Sequence, residues 1–115
     1  MIDFGCRQFD MDELMKCGLG LTKAEFKVFK HFIEDASREC DARSVADELG
    51  LNLTTVQKAV KKLSLKGIVI RRQKNLEKGS YIFVYEASPK DRIREIIKEI
   101  VRNWSLNVEK KMDEW

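Results

Sequence analysis

Little in this sequence is equipped for covalent chemistry. It holds one histidine, His31, with no recognisable triad partners, and it has no Gly-rich phosphate loop, metal-ligand motif or nucleophile motif, so an enzyme is not expected. Cys6, Cys17 and Cys40 are an odd number at wide spacings without a C-x-x-C pair. That argues against a disulfide framework and against a metal or redox centre, and it fits a reducing compartment. No metal and no cofactor is assigned. No apolar run approaches the ~20 residues of a membrane span. The acid-bearing start Met1-Ile2-Asp3-Phe4-Gly5 leads into no apolar targeting segment, and a cytoplasmic protein away from membranes is expected. There is one proline, Pro89, and neither an internal repeat nor a low-complexity segment interrupts the 115 residues. A chain of this size can bury a core without disulfides and has no room for a large cofactor domain.

Charge, by contrast, is abundant and unevenly placed. Residues 1–50 carry 7 basic and 11 acidic side chains, residues 51–78 carry 8 and 1, and residues 79–115 carry 7 and 7. The overall +3 therefore conceals a central segment of +7, and a concentrated positive field attracts a polyanion.

The pattern around that segment is mostly helical. Asp10 caps a short helix with acids in its first turn, and Gly18 is expected as its left-handed stop. Thr22-Lys23-Ala24-Glu25 is a capping box that opens a second helix running to about Asp35, with Val28, Phe29, Phe32 and Ile33 on its apolar face and Phe26 off the centre of that stripe. A polar connection, residues 37–41, leads to a short helix around Arg43–Leu49 that stops at Gly50. Asn52 then caps a longer helix from Leu53 to Lys66, ended by Gly67. In it Val56, Val60 and Leu63 form one buried stripe. A short helix, a Gly-containing turn and a longer helix with an apolar anchor stripe is the helix-turn-helix pattern. Beyond Gly67 the period changes from 3.6 to 2, predicting strands over 68–73 and 80–86 joined by a loop of hairpin length, a two-stranded wing. Ser88 as N-cap and Pro89 at the first helical position open a last helix reaching about Glu114, in which Asn103, Ser105 and Asn107 mark a place to bend. Its stripe of Ile93, Ile97, Ile100, Trp104, Val108 and Trp115 is too long for so small a core to cover, which predicts a dimerisation element joined by Phe26.

The run from Leu19 to Pro89 resembles the winged helix-turn-helix domain of archaeal TrmB-like and MarR-like transcriptional regulators. Gly18-Leu19-Gly20-Leu21-Thr22-Lys23-Ala24-Glu25 is similar to that family's opening turn, Val45-Ala46-Asp47-Glu48-Leu49-Gly50-Leu51 to its second helix, and Thr55–Val69 to its recognition helix. The resemblance implies a mainly α fold with a two-stranded β-wing (α+β), divided into a DNA-binding domain over 1–88 and a C-terminal dimerisation helix over 89–115. Sugar-responsive TrmB-like proteins carry an effector domain after this helix, whereas here the sequence runs to the one helix, so no effector is assigned.

In such a domain the helix from Leu53 lies in a major groove with its N-terminal residues nearest the bases. Thr54, Thr55, Gln57 and Lys58 are then the candidates for base contact, because Gln pairs with adenine, Lys reaches guanine and a Thr methyl touches thymine. Lys61 and Lys62 on the helix, and Arg71, Arg72, Lys74 and Lys78 on the wing, are expected on the phosphate backbone or in a narrow minor groove. The expected function is a homodimeric regulator, a repressor by occlusion, that reads a pseudo-palindromic site in double-stranded DNA. The competing expectation is a winged-helix protein-interaction module that docks on the transcription machinery. Oxidation of Cys17 or Cys40 would add a sensor to the first.

Overall fold

The computed structural model describes residues 1–36 and 38–115; Ser37, in the predicted polar connection, lies outside the described residues. The elements run β1 (Ile2–Phe4), β2 (Arg7–Phe9), α1 (Met11–Gly18), α2 (Lys23–Glu34), α3 (Ala42–Leu49), α4 (Leu53–Leu65), β3 (Val69–Asn75), β4 (Tyr81–Ala87) and α5 (Lys90–Glu114). The fold is a winged helix with a long C-terminal helix.

Local cap chemistry sets most of these boundaries. Asp10 accepts from the Glu13 N–H at 2.7 Å at the start of α1. Thr22 Oγ1 accepts from the Glu25 N–H while the Glu25 carboxylate accepts from the Thr22 N–H, at 3.2 and 2.8 Å, so both halves of the capping box are made. Asp41 caps α3 through the Ser44 N–H, and Gly50 ends it in the left-handed region at φ 64°, a conformation that glycine adopts without steric cost. The turn after α1 differs from expectation. The helix runs through Gly18, which faces Ile100 of α5, and the left-handed residue is Gly20. Reversing the chain there, rather than two residues earlier, lets Leu19 and Leu21 both enter the core.

The core is built around α4. Val56, Ala59, Val60 and Leu63 are buried against Val28, Phe29 and Phe32 of α2, Val45 and Ala46 of α3, Ile68 and Val69 at the wing base, and Ile93 of α5. Each of these side chains larger than alanine contributes about 1.5–3 kcal/mol when fully removed from water, enough to hold α4 as a rigid platform. In the wing, β3 and β4 pair antiparallel with Arg71 opposite Tyr85, Arg72 opposite Val84 and Gln73 opposite Phe83. Cys40 extends this sheet by a backbone bridge to Tyr85, with hydrogen bonds of 2.9 and 2.8 Å.

Two further local expectations are corrected. Ser88 does not cap α5. Its hydroxyl is buried and donates to the Gly67 carbonyl at 2.6 Å, and its N–H donates to the Ile68 carbonyl, so it pins the wing-to-helix junction to the end of α4; Pro89 is the cap position, without a side-chain bond. The first nine residues form the hairpin β1–β2, which was not expected because strands of three residues are too short to display a period of two. Arg7 ties this hairpin to Glu13 of α1 at 3.1 Å, and Phe4 meets Trp104 of α5 edge-on at 6.1 Å.

α5 is one uninterrupted helix through Asn103, Ser105 and Asn107. Its first half packs inward: Ile93 is buried, and Ile96, Ile97 and Ile100 lie half-buried on the core. Its second half leaves the body, and the molecule measures 63 × 24 × 23 Å. No helix among the described residues is long and apolar enough to cross a membrane.

Candidate nucleic-acid interface

α4 presents its polar side because its apolar side is used up. The Asn52 side chain accepts from the Thr54 N–H at 3.2 Å and fixes where the helix begins. With Val56, Ala59, Val60 and Leu63 turned into the core, Thr54, Gln57, Lys58 and Lys61 are exposed and Thr55 is half-buried. These residues stand together at and beyond the N-terminal end of the helix. Leu65, at its other end, is 80% exposed.

Lys62 is placed differently from its neighbours. Its ammonium pairs with Glu25 at 3.0 Å and donates to the Gly20 carbonyl, so it is committed to bracing α4 against the start of α2 and is not presented with Lys58 and Lys61. On sequence it was expected on the DNA backbone with Lys61; here its ammonium faces Glu25. The ion pair sits where water is partly excluded: the carboxylate is 15% exposed. Burial pushes the Glu25 carboxyl up, but the Thr22 N–H bond, the Lys62 bond and the Lys62 charge outweigh it and hold the carboxyl below the ordinary range. A depressed folded value means that the contribution is fully present above the unfolded carboxyl range and is lost as pH falls through the folded one. Urea midpoints of wild type and Glu25→Gln, measured from pH 6 to 3, are therefore expected to converge as the pH drops below about 4. A constant difference would show that the charge of Glu25 is not what matters.

The two wing arginines also part company. Because side chains alternate along a strand, Arg71 and Arg72 lie on opposite faces of the hairpin. Arg72, expected on phosphate, is paired with Glu86 at 2.7 Å, which neutralises part of its field. Arg71 lies over the Phe83 ring at 4.5 Å, a cation–π contact that orients the guanidinium and leaves its charge unpaired among the described residues. Lys74 and Lys78 are exposed near the tip, where Lys78 adopts φ 64° to close the turn. The cations presented outward are thus Lys58, Lys61, Arg71, Lys74 and Lys78.

Sequence reasoning missed the aromatic face of the wing. Tyr81 and Phe83 are 55% and 37% exposed, packed edge to face at 5.5 Å, on the side of the hairpin that bears Arg71 and Gln73. The alternation Tyr81, Phe83, Tyr85 was visible in the sequence as the outward half of a period of two, and it is the signal that could have found them.

Other singled-out residues take structural positions. His31 Nε2 meets the Glu48 carboxylate at 2.6 Å, and Arg38 donates to the same carboxylate at 2.6 Å, so the three clamp α3 onto α2. Cys40 is buried and its burial pushes the thiol pKa up, which disfavours the reactive thiolate; Cys6 and Cys17 are exposed. Phe26, grouped with α5 in the expected interface, stacks on Phe29 at 5.7 Å and lies half-buried against the core. Of that group, Ile93, Ile97 and Ile100 serve the chain's own core, whereas Trp104, Val108 and Trp115 stand exposed.

The comparisons with known proteins agree with this architecture. Residues 15–91 match the family described as sugar-specific transcriptional regulator TrmB. Two uncharacterized proteins of Methanocaldococcus jannaschii are similar, one 31% identical over 109 residues (95% of this chain, 81% of the relative) and one 36% identical over 104 residues (90% and 84%). A solved structure of a possible transcriptional regulator from Methanosarcina mazei Go1 is 40% identical, covers 100% of this chain and 96% of that one, and superposes with a TM-score of 0.92. The ST1889 protein of Sulfolobus tokodaii, 22% identical over 83% of this chain and 91% of its own, shares the fold with a TM-score of 0.67. With two-thirds of its length matched, its recognition helix and wing in place and a solved relative superposing over its whole length, the chain belongs to the TrmB family of winged-helix transcriptional regulators.

Proposed function

We propose that this regulator binds double-stranded DNA as a homodimer, with α4 in the major groove and the wing along the backbone, and represses by occluding a pseudo-palindromic operator. One observation carries the reading: the outward cations of α4 and the wing belong to the single +7 segment of the chain, in which Glu77 is the one acid, and Glu86 on the facing strand is engaged in a pair with Arg72. Thr54, Thr55, Gln57 and Lys58 read bases, and Lys61, Arg71, Lys74 and Lys78 hold phosphate. The exposed second half of α5 supports the dimer, since Trp104, Val108 and Trp115 otherwise meet water.

Fluorescence anisotropy on the chain's own upstream region and on an unrelated duplex, across a salt series, tests this directly. Four phosphate-binding cations per protomer predict a slope of log K against log salt of about −3 to −4 per protomer, roughly doubled for the dimer. A flat dependence would favour the protein-interaction reading. Gln57→Ala or Lys58→Ala is expected to reduce discrimination between upstream and unrelated duplex by about 1–3 kcal/mol, whereas Arg71→Ala or Lys78→Ala weakens both duplexes alike. Equal losses on every duplex for Gln57→Ala would remove it from base reading.

A further inference from the structure

Between α1, α2 and the first half of α5 runs an open apolar groove of about 720 Å3, floored by Leu14, Met15, Phe29, Ile33, Ile93 and Ile97. The α5 residues along it extend from Lys90 to Arg102, and the remainder of the chain, 103–115, is an equal length of helix exposed throughout, with Phe4 against Trp104. At 1.5 Å per residue each half is about 20 Å long. Val101, Trp104, Val108, Met112 and Trp115 are 41, 57, 41, 55 and 98% exposed, and helical spacing puts them on the same face of α5 as Ile97, which is the face that borders the groove. The helix is an uninterrupted rod, so a chain cannot fold its own bare half back into its own groove.

A second copy can fill it. We infer that two chains pair about a two-fold axis near residues 102–103, each laying the second half of its α5 antiparallel into the groove of the other. This rests on the dimer reading above and specifies its geometry. The two halves match in length, and a two-fold axis satisfies both grooves and both bare stripes at once, closing the assembly. Charge selects the same direction. Lys90, Arg94, Lys98 and Arg102 border the groove; Lys98 and Arg102 reach Glu95 of their own helix only at 3.8 and 4.0 Å, on the surface. Helical spacing places Glu109 and Asp113 on the flank that carries Arg94, Lys98 and Arg102. Antiparallel helices related by a two-fold axis bring like flanks together end to end, so the acids of each second half meet the cations of the other's first half. A parallel pair, related by an axis along the helices, would turn these flanks to opposite sides and so would not bring the acids of one chain to the cations of the other. Trp104 falls next to the axis, with Phe4 of the N-terminal hairpin packed on it.

The full-length chain carrying Cys6→Ser, Cys17→Ser and Cys40→Ala, spin-labelled at Glu114→Cys, tests this by pulsed dipolar spectroscopy beside sedimentation velocity. Antiparallel pairing predicts a dimer whose labels are about 35 Å apart, whereas parallel pairing puts them under about 20 Å. A dimer with any distance outside about 30–40 Å overturns this geometry and leaves the dimer itself standing; a monomer overturns both. A second measurement does not depend on the label. Arg94→Glu with Lys98→Glu is expected to weaken dimerisation at least about tenfold, and adding Glu109→Lys with Asp113→Lys to restore it. Loss without restoration counts against the antiparallel pairing.

Discussion

Deletion of residues 103–115 is expected to yield a folded monomer that binds a two-half-site operator at least about a hundredfold more weakly than the full chain, because the second half-site is no longer held at high effective concentration. The cut removes apolar side chains that contribute nothing to the core: Trp104, Leu106, Val108, Met112 and Trp115 are all at least 41% exposed, and the inward-packed residues of α5 end at Ile100. A shorter chain ending at Pro89 is a different experiment. It takes away Ile93, which is buried, together with half-buried Ile96, Ile97 and Ile100, and it is expected to lose the fold. Sedimentation velocity, a thermal melt by circular dichroism and anisotropy on single and paired half-sites separate the outcomes. A truncated chain that stays dimeric would move the interface off α5, and one that melts without cooperativity would give residues 103–115 a place in the core.

The second large effect is on stability. Phe32→Ala is expected to cost about 3–5 kcal/mol, comparable to the whole stability of a small domain. Phe32 is 1% exposed on α2, within the cluster formed by Val28 and Phe29 on the same helix, Val45 on α3 and Val56 and Val60 on α4, so the cavity left by its ring opens against three helices at once. Leu65→Ala, at a residue 80% exposed on α4, is the contrast and should change stability by less than about 0.5 kcal/mol. Urea unfolding midpoints at fixed m-value read both. A small loss for Phe32→Ala would mean that the helices close the space, and a large loss for Leu65→Ala would mean that Leu65 is covered in the working protein.

Much of the fold was legible because its signals are local. The capping box at Thr22 and Glu25, the caps at Asp10 and Asn52, the reversal at Gly50 and the change of period after Gly67 each involve residues within a few positions of one another. Helix and strand boundaries inferred from them lie close to those observed. The hairpin over the first nine residues escaped for the opposite reason, since its strands are too short to show a pattern and it is held by Glu13 and Trp104 from other elements.

The candidate interface was legible as a segment but not residue by residue. Charge counting located the +7 stretch, yet a count cannot say which cations are already paired. Lys62 finds Glu25 37 positions away, and Arg72 finds Glu86 across the sheet. Both look the same in the sequence as Lys61 and Arg71, which remain outward.

By itself the sequence determined the family, the order of the elements from α1 onward, the recognition helix with its exposed polar face and the segment in which positive charge is gathered, because capping, periodicity and composition act between neighbours along the chain. Only the tertiary structure decided that Lys62 braces α2, that Arg72 is paired and Arg71 is not, that Phe26 stacks on Phe29, that Ser88 locks the junction and that α5 is half core and half bare. Those outcomes depend on which distant side chains the packed core brings within a few ångströms, and separation along the chain carries no record of that.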